Sequence, residues 1–409
     1  MSDEDYLDED ELIEDDSMEA EIIDFPATPE VDADPVHIIV KRHVLLAMLD
    51  RASGILPNRD VIPVLKNYQV IVRDGVMTIT ATDMALTLLA STELVEIKTE
   101  GEVVLPGKAL SQIVKEASGE SIEIRIQDGS ANIVSGQTNW ALRLLRTEAY
   151  PTPPDVSQLS FTNIDRQEFL SGLEIVSPSA STDTNRPNLC LVACTSGKMS
   201  TSDGVRCAQI DMGEHLPVEM QIPISAVGDL IRLMKSTDVE EIYTAESVSH
   251  YVFTIGNDNF FVGKSIYTFP DIEEQLIAPT ISNDMEMHCD REELISAIRR
   301  VRIAANVESS AIALRMDANH LVISTRNEIG DEASESIDCN WNQSESYEAV
   351  VNHNFLTDLL RSVDASTCNF FFGEDKVASR KTHILHRSST SGMETIGVIS
   401  QMRADWMMA

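Results

Sequence analysis

Three stretches decide how this chain is read: Arg42-His43-Val44-Leu45-Leu46-Ala47-Met48-Leu49, Arg166-Gln167-Glu168-Phe169-Leu170-Ser171-Gly172-Leu173 and Arg291-Glu292-Glu293-Leu294-Ile295-Ser296-Ala297-Ile298. Each opens on an Arg and places apolar residues three, four and seven positions later. That spacing lays one apolar stripe along a short helix, with the Arg at its N-terminal end. The stretches begin 124 and 125 residues apart, a regularity that marks an internal repeat.

Working outward, Ile38-Ile39-Val40 reads as a strand before the first helix. Asn67–Val72 and Met77–Thr80 alternate around Asp74-Gly75 and predict a hairpin. A second unit follows: strand Val103–Leu105, a helix over Lys108–Ala117, and strands near Ile122–Ile126, Ala131–Val134 and Trp140–Leu145. The second helix also recurs. Pro106–Lys115, Pro223–Arg232 and Asn352–Arg361 align without gaps, matching Leu110 with Val227 and Leu356, and Ile113 with Leu230 and Leu359. The fold class is therefore α+β: three similar domains over 37–158, 159–282 and 283–404, each with two helices and two sets of strands. Pro151, Pro153 and Pro154 mark the first joint, and Pro279 precedes the second.

The chain of 409 residues carries a formal net charge of −36. Residues 1–36 hold sixteen Asp or Glu and no Lys or Arg. This tail buries too little apolar surface to offset its ordering entropy, and we expect it to be disordered and solubilising. Such an acidic chain is excluded as a nonspecific nucleic-acid binder on net charge alone, so any basic surface must be gathered locally. Six cysteines show no metal-ligand spacing, and Cys190 and Cys194 read as small apolar core residues. No signal peptide or membrane span is visible, and we expect a cytoplasmic protein. The helices' outward positions gather Lys41, Arg51, Lys108, Lys115, Arg232, Lys235, Arg299, Arg300, Arg302 and Arg361, a large share of 31 basic residues. Positive helices on a negative body suit a polyanion held by its backbone.

No catalytic or metal site is expected, nor any cofactor. Gly101–Lys108 misses the phosphate-loop spacing by one residue, and Ala109 stands where Ser or Thr is needed. The acidic tail lacks the Gly and closing Glu of a calcium loop. His383 and His386 lie on a strand-like stretch without further ligands, and no nucleophile–base spacing appears.

Several motifs resemble the bacterial sliding clamp family, the beta subunit of DNA polymerase III. They are Ser202-Asp203-Gly204-Val205-Arg206, Ala81-Thr82-Asp83, Ile62-Pro63-Val64-Leu65-Lys66-Asn67, Phe269-Pro270-Asp271 and Val398-Ile399-Ser400-Gln401-Met402-Arg403, in family order over residues 37–404. The resemblance implies three tandem clamp domains and a homodimeric ring whose helices line a hole for duplex DNA. It implies a processivity factor that tethers the replicative polymerase, not an enzyme, opened by a clamp loader. It places Arg59, Lys108, Lys115 and Arg232 at family DNA-contacting positions; Ile224 and Ser225 replace basic residues there.

The family's partners insert an apolar peptide of Gln-Leu-x-Leu-Phe type between the second and third domains. Carried over, that cleft comprises Leu189, Ser202, Gly204, Arg206, Cys207, Pro270, Val377, Ser379, Val398, Ile399, Ser400, Met402 and Arg403. The dimer contact would set Trp140 and Leu142 against Ile303 and Ala304. Val205 replaces a family His, Glu274 an Arg and Gln401 a Pro, so an altered peptide preference is expected. The chain runs on past the family's end as residues 405–409, apolar enough to act as a lid on the cleft. Two other readings stand beside this one: a clamp-fold decoy or scaffold that binds clamp partners without encircling DNA, and a nucleic-acid enzyme with an inconspicuous site.

Overall fold

The computed structural model describes residues 35–57, 62–127, 129–144, 150–362, 365–375, 380–381, 383–390 and 392–402. Most of the acidic tail, Arg59, Val377, Ser379, Arg403 and the segment 405–409 lie outside them. Val36, assigned to the tail on charge alone, is already packed in the core, and its carbonyl accepts from Ile126 N at 2.8 Å.

The first repeat runs β1 (His37–Lys41), α1 (Arg42–Ser53), β2 (Asn67–Arg73), β3 (Val76–Thr82), β4 (Leu86–Thr92), β5 (Val95–Thr99), β6 (Gly101–Pro106), α2 (Gly107–Glu116), β7 (Ser121–Gln127), β8 (Ser130–Ser135) and β9 (Thr138–Arg143). The second runs β10 (Thr162–Asp165), α3 (Arg166–Val176), β11 (Leu191–Thr195), β12 (Lys198–Ser202), β13 (Arg206–Asp211), β14 (Met220–Pro223), α4 (Ile224–Lys235), β15 (Glu241–Glu246), β16 (His250–Ile255) and β17 (Asp258–Gly263). A π-helical turn, Glu273–Ile277, leads into the short α5 (Ala278–Ile281). The third repeat is β18 (Met285–Asp290), α6 (Arg291–Val301), β19 (Ala311–Asp317), β20 (His320–Arg326), β21 (Glu332–Trp341), β22 (Tyr347–Asn352), α7 (His353–Ser362), β23 (Thr367–Phe372), β24 (Glu374–Asp375), β25 (Arg380–Lys381), β26 (Ile384–Thr390) and β27 (Met393–Ile399).

The local expectations follow from sequence chemistry. The β2–β3 turn holds Asp74 and Gly75 at φ 53° and 82°, the left-handed pair that a tight two-residue hairpin requires. Asp165 and Asp290 cap α3 and α6, their carboxylates accepting from Glu168 N and Glu293 N at 2.8 Å each. Lys41 stands at the same point before α1 and offers no side-chain cap.

The sequence reading left β4 and β5 unassigned. Leu86–Leu88 at the start of β4 are buried on both faces, and beyond them buried and half-buried residues alternate. Its partner explains this: Leu86–Leu89 pair antiparallel with Val262–Asn259 of β17, joining the first and second repeats in one eight-stranded sheet. The second joins the third in the same manner, with Arg206–Asp211 of β13 opposite Ile399–Glu394 of β27. At each joint the last strand of one repeat meets a corresponding strand of the other. Among the described residues two counterparts stay unpaired on one side. β9 pairs only with β8, and the Glu332–Asp338 part of β21 pairs only with β20.

One apolar core fills the first two repeats and a second fills the third. Cys194, Cys207, Cys289 and Cys368 are buried, Cys190 and Cys339 half-buried, and all six are free. Among the described residues no helix is long and apolar enough to cross a membrane.

Candidate functional site

The helices sit side by side as three pairs, α1–α2, α3–α4 and α6–α7. The recurring Arg fastens each pair. Arg42 donates through Nε to Val114 O at 2.9 Å and through Nη2 to Lys115 O at 2.6 Å. Arg166 reaches Met234 O at 3.0 Å and also Val239 O. Arg291 reaches Leu360 O at 2.8 Å and Ala365 O at 3.3 Å. A helix C-terminus leaves carbonyls without intrahelical donors and carries partial negative charge; a guanidinium there satisfies both. The backbone repeats the motif, since Arg42 N, Arg166 N and Arg291 N donate to Glu120 O, Glu240 O and Ser366 O.

The outward helix face has an uneven charge. Lys108, Lys115, Arg299, Arg302 and Arg361 are exposed, and none has a carboxylate partner among the described residues. Four other basic residues of the helices are engaged. Arg300 grips Glu335 with both ends of its guanidinium, which raises its own pKa and lowers that of Glu335. Lys235 pairs with Glu174. Arg232 binds Asp229 and the Asp50 carbonyl across the first joint. Arg51 binds Asp258 at 2.6 Å; burial pushes the Asp258 carboxyl up despite that cation and the Ser91 N–H. Uncompensated positive charge therefore sits on α2, on α6 with the turn after it, and on α7.

The expected cleft lies at the second joint. The β12–β13 turn is built by its own side chains: Ser202 Oγ donates to Arg206 O at 2.7 Å and accepts from Gly204 N at 3.0 Å. Gly204 holds φ 91°, a conformation that disfavours any Cβ. Beside the turn, Cys207, Ile272, Ile277, Leu385 and Val398 form one apolar cluster flanked by Phe269, Leu276, Phe371 and Ile396. Burial pushes the Cys207 thiol up to about 12, so it packs in this cluster as a neutral, apolar group. Of the expected cleft residues, Leu189, Ser202, Cys207 and Val398 are buried at this joint, Gly204 lies against Leu189, Pro270 and Ser400 are half-buried, and Ser400 N donates to Val205 O at 2.8 Å. Val205 is 44% exposed at its rim.

Three expected residues face other work. Arg206 donates to Asp203 and to Asp358 of α7 at 2.9 Å each, reaches Pro178 O at 2.6 Å, and lies 4.2 Å from the Phe355 ring centroid. It ties the second repeat to α7. Ile399 is buried in the third repeat's core, and Met402 packs on Ala311, Ala313 and Val350. Ile272, Ile277 and Leu385, which the sequence reading did not single out, are buried and pack beneath the joint, with Phe371 beside them. The apolar spacing after Pro270-Asp271 was the available signal. At the free edges, Trp140 and Leu142 of β9 are half-buried against the first core. Ile303, after α6, is 84% exposed, and Ala304 lies next to it. Among the described residues no group of His, Cys, Asp or Glu could hold a metal ion.

Residues 36–154 match the model of the DNA polymerase III beta subunit N-terminal domain, and residues 277–389 that of its C-terminal domain. The chain belongs to the DNA polymerase III beta subunit family. The beta sliding clamp of Pseudomonas putida is 25% identical over 337 residues, 80% of this chain and 90% of that protein. The beta sliding clamp of Haemophilus influenzae is 26% identical over 356 residues, 81% of this chain and 90% of its own. The solved DNA polymerase III subunit beta of Pseudomonas aeruginosa superposes with a TM-score of 0.80 at 22% identity, covering 90% of this chain and 100% of that one. The Bartonella birtlesii sliding clamp, bound to griselimycin, gives 0.83 at 22% identity with the same coverage. The fold is thus that of the sliding clamps, three tandem domains of helices on antiparallel sheets.

Proposed function

We propose that two copies of this chain close into a six-domain ring around duplex DNA and act as a sliding clamp, a non-catalytic processivity factor. The domains are taken as 37–158, 159–282 and 283–404. One observation carries the reading. Both joints inside the chain pair the last strand of one repeat with a corresponding strand of its neighbour, and the leftover pair is β9 and the free half of β21. Applying the same rule between chains joins first domain to third and leaves no such edge open. Trp140 and Leu142 then lie near Ile303 and Ala304.

Lys108, Lys115, Arg299, Arg302 and Arg361 supply sequence-blind phosphate contacts in the hole. The second domain contributes little, because Arg232 and Lys235 are paired and Ile224 and Ser225 are uncharged. Contacts of this kind hold DNA weakly and permit sliding. The cleft at the second joint receives apolar peptides of the replicative polymerase, the loader and other partners.

The test is retention on DNA after loading by a clamp loader. Protein should stay on nicked circular DNA through gel filtration and leave once the circle is cut. Equal loss from both forms, with peptide binding intact, would favour the scaffold that does not encircle DNA.

A further inference from the structure

Next to the cleft, on the second repeat, lies a groove of about 500 Å³ without a role in the reading above. Its floor is the sheet face bearing Thr195, Ser200, Gln209 and Gln221, and its roof is the Phe269–Glu273 segment. That roof also packs into the apolar cluster at the second joint, through Phe269 and Ile272. Met199, Ala208 and Ile210 face the core with α3, so by strand alternation Ser200 and Gln209 face away from it.

A floor this enclosed is ordinarily apolar or fully hydrogen-bonded. Here Ser200 and Gln209 are 7% and 5% exposed and sit opposite each other, with Gln209 Nε2 donating to Ser200 Oγ at 3.1 Å. Gln209 Oε1 has no partner among the described residues. Gln221 Oε1 accepts from Phe269 N at 3.0 Å, fixing roof to floor, while its Nε2 and the Thr195 hydroxyl have no such partner. The floor thus presents an acceptor, an amide donor and a hydroxyl. At the margin Lys198 and Glu273 neutralise each other at 3.1 Å, which leaves the Asp271 carboxylate and disfavours anions.

We propose that this groove is a second subsite of the peptide cleft, taking an uncharged carboxamide or hydroxyl side chain from the polar flank of a partner peptide. The proposal rests on the cleft reading and adds a specificity determinant to it. Gln209 selects for a donor at that point, and apolar or acidic flanks gain nothing there.

The experiment uses the full-length protein and fluorescein-labelled Gln-Leu-Ser-Leu-Phe, alone and extended at either end by Gln-Ser, Leu-Leu or Glu-Glu. Fluorescence anisotropy should show one Gln-Ser extension binding about three- to tenfold tighter than the core peptide, the gain from one or two neutral hydrogen bonds. Leu-Leu and Glu-Glu should bring no gain. Gln209→Leu, and separately Thr195→Val at an exposed position, should reduce the Gln-Ser gain while leaving the core peptide's affinity unchanged. Equal affinity for all extensions, or a gain that survives both substitutions, would overturn the subsite and leave the cleft reading standing. Absence of core-peptide binding would overturn both.

Discussion

Arg42, Arg166 and Arg291 show how one residue type organises a repeat. Each fixes the C-terminal end of a helix roughly seventy residues further on. Arg291→Ala removes two charge-assisted bonds and leaves Leu360 O and Ala365 O without that donor. It should cost about 1.5–3 kcal/mol in urea unfolding of the third domain, whereas Arg299→Ala, exposed and unpaired, should stay within about 0.5 kcal/mol. The recurrence of these arginines was legible in the sequence. Their partners were not, because helical spacing describes neighbours on one helix and says nothing of carbonyls on the next. A second residue acts through pH. His386 is fully buried, 4.9 Å from the Phe370 ring, and among the described residues neither ring nitrogen has a partner. Burial lowers its pKa from 6.5 to about 4. The unfolded chain takes up this proton near pH 6.5 and the folded chain only near 4, so stability falls as pH drops between those values and levels off below. The loss is on the order of 3 kcal/mol. Unfolding midpoints from pH 7 to 4 should show it in the native protein and a shallower decline in His386→Leu.

At the scale of elements, the helices were the readable part. A stripe of 3.6-residue period names a helix whatever it packs on, and α1, α3 and α6 appear where their stripes lie. Caps were less visible. Asp165 and Asp290 each bond the third N–H of their helix, and Lys41 cannot. Lys41→Asp should supply that bond and place a negative charge at the positive helix end, stabilising the first domain by about 0.5–1.5 kcal/mol in thermal or urea unfolding. Asp165→Ala should lose about 1 kcal/mol at the equivalent place. The strands were read unevenly for a physical reason. β2 and β3 flank the Asp74-Gly75 turn and were found by it; β4 has no such Asp-Gly pair beside it, and its first three residues are buried on both faces. The cleft followed the same divide. The Ser202–Arg206 turn is local and was recognised from its residues. The burial of Ile272, Ile277 and Leu385 beneath that turn depends on three segments meeting. Arg206 was placed in the cleft on resemblance, and only the fold shows its donors spent on Asp203, Asp358 and Pro178.

The whole molecule is two joints and one unfinished joint. A strongly acidic chain leaves positive charge uncompensated on the helices of its first and third repeats, and its sheets run unbroken through β4–β17 and β13–β27. Threefold repetition was legible because 124- and 125-residue intervals repeat a pattern. Continuity between repeats was not, because strand pairing over such separations leaves no local mark. The ring stands or falls on whether β9 and the free half of β21 close it between chains. Sedimentation equilibrium of the full-length protein tests it most directly. Twice the 45.2 kDa chain mass is expected, falling to a single chain when Ile303→Asp and Trp140→Glu charge the two edges. A native protein that sediments as a single chain at micromolar concentration would contradict it.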